Sequence, residues 1–393
     1  MKRLISIFFA LLPVVALWSQ EVSHSVYQVY PDATVAQTKA PAGYKPFYIS
    51  HFGRHGSRYL SHEKNVRPAL DGLRAAQTEG ILTPSGTALL GYVEEVYSIS
   101  KGLWGQLSPR GVKEHQHIAA RMNKNFPGVL KDSIGVYASI YPRCIVSMTS
   151  ATSELGRLNP KARFTYHVGE RYQDLINPRH RPEGRELGAK LMNNYLAGHM
   201  DIPGAMSHLF TDTTRASAVI KKPVAFFKSI YSTWAIREAV LLQPFRLEDI
   251  IGLDAALALC SADNMSHYQD MGLDRGADTL LMSVIQGAER AISSGKRYAD
   301  LRYAHDNGLM RLLVQMGVEA YPANLRAEQA LDYDFARAMP MAANMQMVFY
   351  RNRKGMVLVK ILVNESEAKI PGLPGGPYYP WAALSDYLKS RIQ

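Results

Sequence analysis

The spacing of apolar positions changes along the chain, and each change marks an element. Residues 46–52, Pro46-Phe47-Tyr48-Ile49-Ser50-His51-Phe52, form a short apolar run that reads as a strand. Beyond it, Val66, Leu70, Leu73 and Ala76 recur at three- and four-residue spacing, so a helix is expected from Asn65 to Glu79. Thr83-Pro84 and Ser108-Pro109 are helix starts, each a capping hydroxyl followed by a proline whose missing amide costs nothing in a first turn. The first of these helices runs to about Ile99, and the second carries Val112, His115, Ile118, Ala119 and Met122 on one face. A strand over 134–140 ends at Tyr141-Pro142-Arg143, a helix is expected over Cys144 to Leu158, and a further strand over 162–168.

From about 170 to 295 the strand signals fade, while Val224 to Leu242 and Ile250 to Cys260 keep helical spacing. The sheet resumes with Ala299 to Ala304, which runs into His305-Asp306-Asn307-Gly308 and then an apolar helix from Leu309 to Met316. Ala343 to Tyr350 and Met356 to Val363 read as a hairpin turning at Asn352-Arg353-Lys354-Gly355. A Pro/Gly-rich crossing from Pro371 to Pro380 leads to a closing helix from Trp381 to about Arg391, and residues 21–44 read as an arm with little regular structure. The alternation implies an α/β fold, a mainly parallel sheet flanked by helices, built from 21–168 and 296–393 with a helical domain inserted at 169–295. In such sheets ligands gather beyond the carboxyl ends of the strands, where both His55 and Arg143 fall.

Composition adds compartment and partner class. At 393 residues the chain is longer than one core usually serves, which fits two lobes. Lys2-Arg3 followed by an apolar run from Leu4 to Leu17 has the layout of a secretory leader over 1–20 and is too short to span a bilayer. A periplasmic or secreted protein with no membrane span after leader removal is therefore expected. Two cysteines, Cys144 and Cys260, are too few for a disulfide scaffold; a bridge and a pair of buried thiols both remain open, and thiols are favoured. The net charge of +11 is scattered, which suits anionic small molecules but lacks the basic stripe with interleaved aromatics that nucleic acid needs.

The chemistry concentrates at Arg54-His55-Gly56-Ser57-Arg58, directly after the first strand. Two cations and an imidazole at a strand end are costly to bury without counter-charge, so the segment expects an anion, with phosphate as the natural guest. Planar guanidinium groups match phosphoryl oxygens in bidentate fashion. His51 and His55 are four residues apart, but only a helix aims such a pair at one metal, and this segment is strand and glycine loop. His115 and His117 fall on opposite helix faces, and the cluster Arg179-His180-Arg181 with Arg185 reads first as a solvated loop. His62 and Lys64 read first as exposed residues and second as contacts for a polyanion.

With its strand-end His305-Asp306, the RHGSR segment resembles the histidine acid phosphatases, the larger branch of the histidine phosphatase superfamily. Leu107-Ser108-Pro109-Arg110-Gly111 with Glu114-His115 is similar to that family's LTxxGxxQ segment, with Ser and Glu standing where Thr and Gln are commoner. Arg143 is placed like the family's third phosphate-binding arginine. Residues 299–305 and the stretch from Asn264 to Gly272 look most like the multiple inositol polyphosphate phosphatases. Those usually carry His-Ala-Glu at the distal motif, whereas His305-Asp306 follows the phytases and other acid phosphatases.

The resemblance implies a phosphomonoester hydrolase acting through a phosphohistidine on His55. Arg54, Arg58 and Arg143 would hold the phosphate, His305 would donate to it, and Asp306 would act as proton donor. No metal or other cofactor is expected, since the arginines supply positive charge. Inositol polyphosphates are the implied substrate class. A broad acid or sugar phosphatase is the alternative, and a secreted binder of phosphorylated ligands the alternative of another class. Asp306 also stands where a helix cap belongs, a role compatible with proton donation.

Overall fold

The computed structural model describes residues 25–392 apart from 33–34, 177–181, 244, 267–275, 295–297, 324–328, 330 and 332. The leader-like segment, Arg179-His180-Arg181 and the stretch from His267 to Gly272 lie outside the described residues. The strands are β1 (Lys45–Arg54), β2 (Ser133–Ala138), β3 (Arg163–Val168), β4 (Tyr298–Ala304), β5 (Asn344–Arg351), β6 (Val357–Val363), β7 (Ser366–Glu367) and β8 (Tyr379–Pro380). They form one sheet in the order β3-β2-β4-β1-β5-β6-β7, with β8 on β6. β3, β2, β4 and β1 run parallel; β5 and β6 continue the sheet antiparallel. β1 is buried from Phe47 onward, the near-continuous burial of a strand covered on both faces.

The register sets the site. Arg54 pairs with Ala304 and Ala138 with Tyr303, so β1, β4 and β2 end at the same level. Backbone bonds carry that alignment one residue further, with His55 N–H donating to Ala304 O (2.9 Å) and Ser139 N–H to Tyr303 O (3.0 Å). The expected hairpin forms between β5 and β6, where Asn352 Oδ1 accepts the Lys354 and Met356 amides and Gly355 takes a positive φ of 81°.

The helices are α1 (Arg67–Thr78), α2 (Pro84–Ser100), α3 (Pro109–Asn125), α4 (Pro142–Leu158), α5 (Pro182–His199), α6 (Ile202–Leu209), α7 (Thr213–Val219), α8 (Pro223–Ala235), α9 (Leu247–Ile251), α10 (Leu253–Ser266), α11 (Asp278–Ser294), α12 (Asp306–Met316), α13 (Phe335–Ala338) and α14 (Trp381–Ser390). No described helix is long and apolar enough to cross a membrane. Ile49, Leu301 and Val348 of the sheet meet α3 and α4 on one face. Tyr48, Phe52 and Phe349 meet α11, α12 and α14 on the other. A separate core joins α1 and α2 to α6, α8, α9 and α10. The helical lobe thus draws two helices from before residue 169, and α11, inside the expected 169–295 span, packs on the sheet.

Thr83 and Ser108 cap α2 and α3 as the sequence indicates, each accepting the amide of the third residue on. The start of α3 lies hard against the loop after β1. A β-carbon on Gly56 would come 2.7 Å from Gly111 O, and one on Gly111 would overlap the Ser57 carbonyl. Gly111→Ala is therefore expected to destabilise the protein by about 1–3 kcal/mol through overpacking. The urea midpoint measures it, and a variant as stable as the wild type contradicts the packing described.

Candidate active site

The three parallel strand ends and the first turn of α4 enclose a cleft of about 560 Å³ lined by His55, Arg58, His62, Arg143, His305 and Asp306 among others. Arg54 lies beneath it, fully buried, pairing through Nη2 with Asp306 Oδ2 at 2.8 Å and donating through Nη1 to the Met339 carbonyl. All six residues singled out for phosphate chemistry, Arg54, His55, Arg58, Arg143, His305 and Asp306, come together here. His62 stands in the cleft wall, whereas Lys64 lines a different cavity with Lys222 and Lys228. His51 is an ordinary buried strand residue against Tyr303, and no cluster able to hold a metal occurs among the described residues. Cys144 and Cys260 are both free and buried.

Each side chain is aimed by local structure. His55 Nδ1–H donates to the Gly56 carbonyl at 3.0 Å, which fixes the tautomer and leaves the Nε2 lone pair available. The loop is braced by Gly56 N–H to Ser147 Oγ (3.1 Å) and by Ser57, whose N–H and O–H both donate to Glu114 at 2.7 Å. Arg58 is bonded to the Tyr59 carbonyl and lies over the Tyr27 ring at 4.8 Å, so part of the irregular arm backs a cleft residue. Arg143 is not at a strand end but in the first turn of α4. The strand stops at Ala138 and Pro142, with its fixed φ, begins the helix.

Arg143 Nη2 donates to His305 Nδ1 (3.4 Å), so the His305 proton sits on Nε2 and is given to Ser139 Oγ (3.2 Å). Ser139 O–H donates in turn to Gln173 Oε1 at 3.3 Å. The N-cap of α12 is His305, without a side-chain capping bond, rather than Asp306; Asp306 is the first helical residue and its Oδ1 accepts the adjacent Asn307 amide (2.8 Å). The Nε–H groups of Arg58 and Arg143 are buried with no hydrogen-bond partner among the described residues. Both residues also line the cleft, where their guanidinium groups suit an incoming anion.

Electrostatics follow from crowding cations in a buried space. Burial first, then Arg143, Arg58 and Arg54, hold the His55 imidazole well below its usual titration range. Burial and Arg143 push His305 down to about 3 against the pull of Asp306. Burial also lowers Arg54 and Arg143, with like charge from Arg58 adding to the effect on each. His55 therefore keeps its lone pair in acid solution where a free imidazole would be protonated.

Ser139, Ser147, Glu114, Gln173 and the Met339 carbonyl were not singled out as site residues. Ser139 follows a strand as His55 and His305 do, but the strand expected over 134–140 hides that position, because β2 stops at Ala138. A backbone carbonyl such as that of Met339 has no residue-type signature.

His51, His55, His115 and His305 are all buried with lowered pKa values, those of His51, His115 and His305 to about 3. Their folded-state pKa values lie below the unfolded value near 6.5, so unfolding takes up protons between those limits and stability falls as pH drops from 6.5 towards 3. His115 is shifted by burial alone, which makes it the clean probe. His115→Phe is expected to flatten the slope of unfolding free energy against pH by up to about 1.4 kcal/mol per pH unit. Urea titrations at pH 7, 6, 5 and 4 measure it, and parallel slopes for variant and wild type contradict the assignment.

No family model and no curated protein matches the chain. Solved structures do. A multiple inositol polyphosphate phosphatase of Bifidobacterium longum, in complex with inositol hexasulfate, matches with a TM-score of 0.70 at 16% identity over 93% of this chain and 97% of that one. The phytase of D. castellii matches with a TM-score of 0.69 at 11% identity over 95% and 84%. Hafnia alvei phytase matches with a TM-score of 0.54 at 13% identity over 90% and 98%. At these identities the likeness is one of fold, and the chain has the α/β sheet with helical lobe found in these phosphatases.

Proposed function

We propose that the chain is a histidine acid phosphatase, a phosphomonoester hydrolase working through a phosphohistidine on His55 with inositol polyphosphates as its substrate class. The observation that carries the reading is the His55 imidazole with its Nδ1 proton committed to Gly56 and its Nε2 free, in a cleft shared with Arg58, Arg143 and Asp306. The substrate class rests on the fold shared with inositol polyphosphate phosphatases and phytases and on the cationic cleft. The leader-like pattern at 1–20 supports a site of action in the periplasm or outside the cell.

In this reading a phosphate dianion takes up the open guanidinium donors of Arg58 and Arg143 and draws on the charge of Arg54. His305 gives its Nε2–H to a phosphoryl oxygen in exchange for Ser139. The Nε2 lone pair of His55 attacks phosphorus in line, the bond to the ester oxygen breaks, and Asp306 passes its proton to that oxygen so that an alcohol leaves. Water then attacks the phosphohistidine, the P–N bond breaks, and the proton released by water returns to Asp306. The arginines stabilise charge on the equatorial oxygens in both steps. Acid solution leaves the nucleophile intact, because burial and the neighbouring arginines keep His55 from taking up a proton.

Asp306→Asn removes the transferable proton but keeps the shape. Its turnover of phytate is expected to fall by about 10²–10⁴. By kcat/KM, which reports only the steps up to leaving-group departure, p-nitrophenyl phosphate should lose much less than phytate, since nitrophenolate leaves without protonation and the hydrolysis step is common to both. Equal losses in kcat/KM on the two esters contradict the role of Asp306. In the same assays the wild type is expected to prefer phytate over simple phosphomonoesters by kcat/KM, and no preference would reject inositol polyphosphates.

A further inference from the structure

Glu114 is a buried carboxylate without a part in the chemistry above. It sits in the first turns of α3 and is absent from the cleft wall; its other side faces a separate cavity of about 210 Å³ with Tyr30, Arg110 and His117. Oε2 accepts the Ser57 amide and Oε1 the Ser57 hydroxyl, both at 2.7 Å, and Oε1 also accepts the Tyr30 amide at 3.2 Å. Arg110 Nε is 3.9 Å away, a loose ion pair beside three direct bonds. Burial raises the carboxyl's pKa while the Ser57 bonds oppose it. Burying a carboxylate is costly unless its hydrogen bonds are satisfied, and here the donors that satisfy it belong to the loop bearing His55 and Arg58.

We propose that Glu114 is a positioning residue for the catalytic loop, its two bonds to Ser57 setting the aim of His55 on one side and Arg58 on the other. The two bonds together fix both the place and the rotation of Ser57, which a single bond cannot do. Gly56 lets the backbone come close enough, since a β-carbon there would lie 3.1 Å from Glu114 Oε2. The Tyr30 amide ties the irregular arm to the same carboxylate, next to the Tyr27 ring that covers Arg58. Shortening or removing the carboxylate releases the loop, and a nucleophile displaced by about 1 Å loses rate on the order of a hundredfold.

The inference rests on the phosphatase reading, and the experiment separates the two. Turnover of p-nitrophenyl phosphate is measured for the wild type, His55→Ala, Glu114→Ala, Glu114→Asp, Glu114→Gln, Ser57→Ala and the double variant Glu114→Ala/Ser57→Ala, each checked for folding by its melting temperature. Glu114→Ala and Glu114→Asp are expected to lose roughly 30- to 100-fold in kcat with little change in KM. Glu114→Gln can still accept the Ser57 amide and donate to its hydroxyl but sets its NH2 against the Tyr30 N–H, so its loss should fall between wild type and Glu114→Ala.

Ser57→Ala should cost less than Glu114→Ala in the wild type and nothing further in the Glu114→Ala background, the signature of residues acting as one unit. Folded Glu114→Asp with wild-type kcat, or a Ser57→Ala cost that is the same in both backgrounds, overturns the proposal and leaves the phosphatase reading standing. Glu114→Asp also serves if Glu114→Ala does not fold. A wild type without turnover overturns both.

Discussion

Three guanidinium groups and two imidazoles share one largely buried cleft, and their mutual repulsion is the constraint on which the arrangement depends. Such a set does not hold itself together. Arg54 is held by the Asp306 carboxylate and the Met339 carbonyl, Arg58 by the Tyr59 carbonyl and the Tyr27 ring, and Arg143 by His305 and the Tyr141 ring. These contacts offset the charge in part, and in the proposed reaction the substrate dianion would offset the rest. The same crowding keeps the imidazoles neutral, so the proposed nucleophile survives acid while stability declines with falling pH.

What makes the crowding tolerable is a rigid frame. β1, β4 and β2 end in register, and each hands over to a loop or helix start that carries one part of the site: the His55 loop, the His305-Asp306 corner and the Ser139 to Arg143 turn. Behind the first of these, Glu114, Ser147 and the close approach of Gly56 to Gly111 fix the backbone. The loop after α2, with Trp104 and Gly105, supplies a wall, and Tyr27 of the arm backs Arg58. Position is therefore set by strands and helix starts, while the charge pattern sets what the position is for.

Much of this was legible in the chain. β1 and β4 announce themselves because an apolar run gives way to charged residues, and the helices at 84 and 109 because Thr-Pro and Ser-Pro are start signals with a physical reason. The strand-end reading of Arg143 differs from the structure by two residues at each boundary, since β2 stops at Ala138 and Pro142 opens α4. Periodicity gives α1 an apolar face and Thr83-Pro84 gives α2 a start, but neither says that these helices pack with those beyond residue 200 or that α11 lies on the sheet. The bracing by Glu114, the Tyr27 contact and the Met339 carbonyl depend on the fold closing, so no local pattern encodes them.

The central claim is that the imidazole of His55 takes the phosphoryl group. Acid-free quenching of the wild type and of His55→Ala during turnover of a ³²P-labelled phosphomonoester, followed by peptide mapping, tests it most directly. Label should appear on the peptide containing His55, stable to alkali and lost in acid as a phosphoramidate requires, and none should appear in the variant. Turnover without label on that peptide, or undiminished labelling in His55→Ala, would contradict the account.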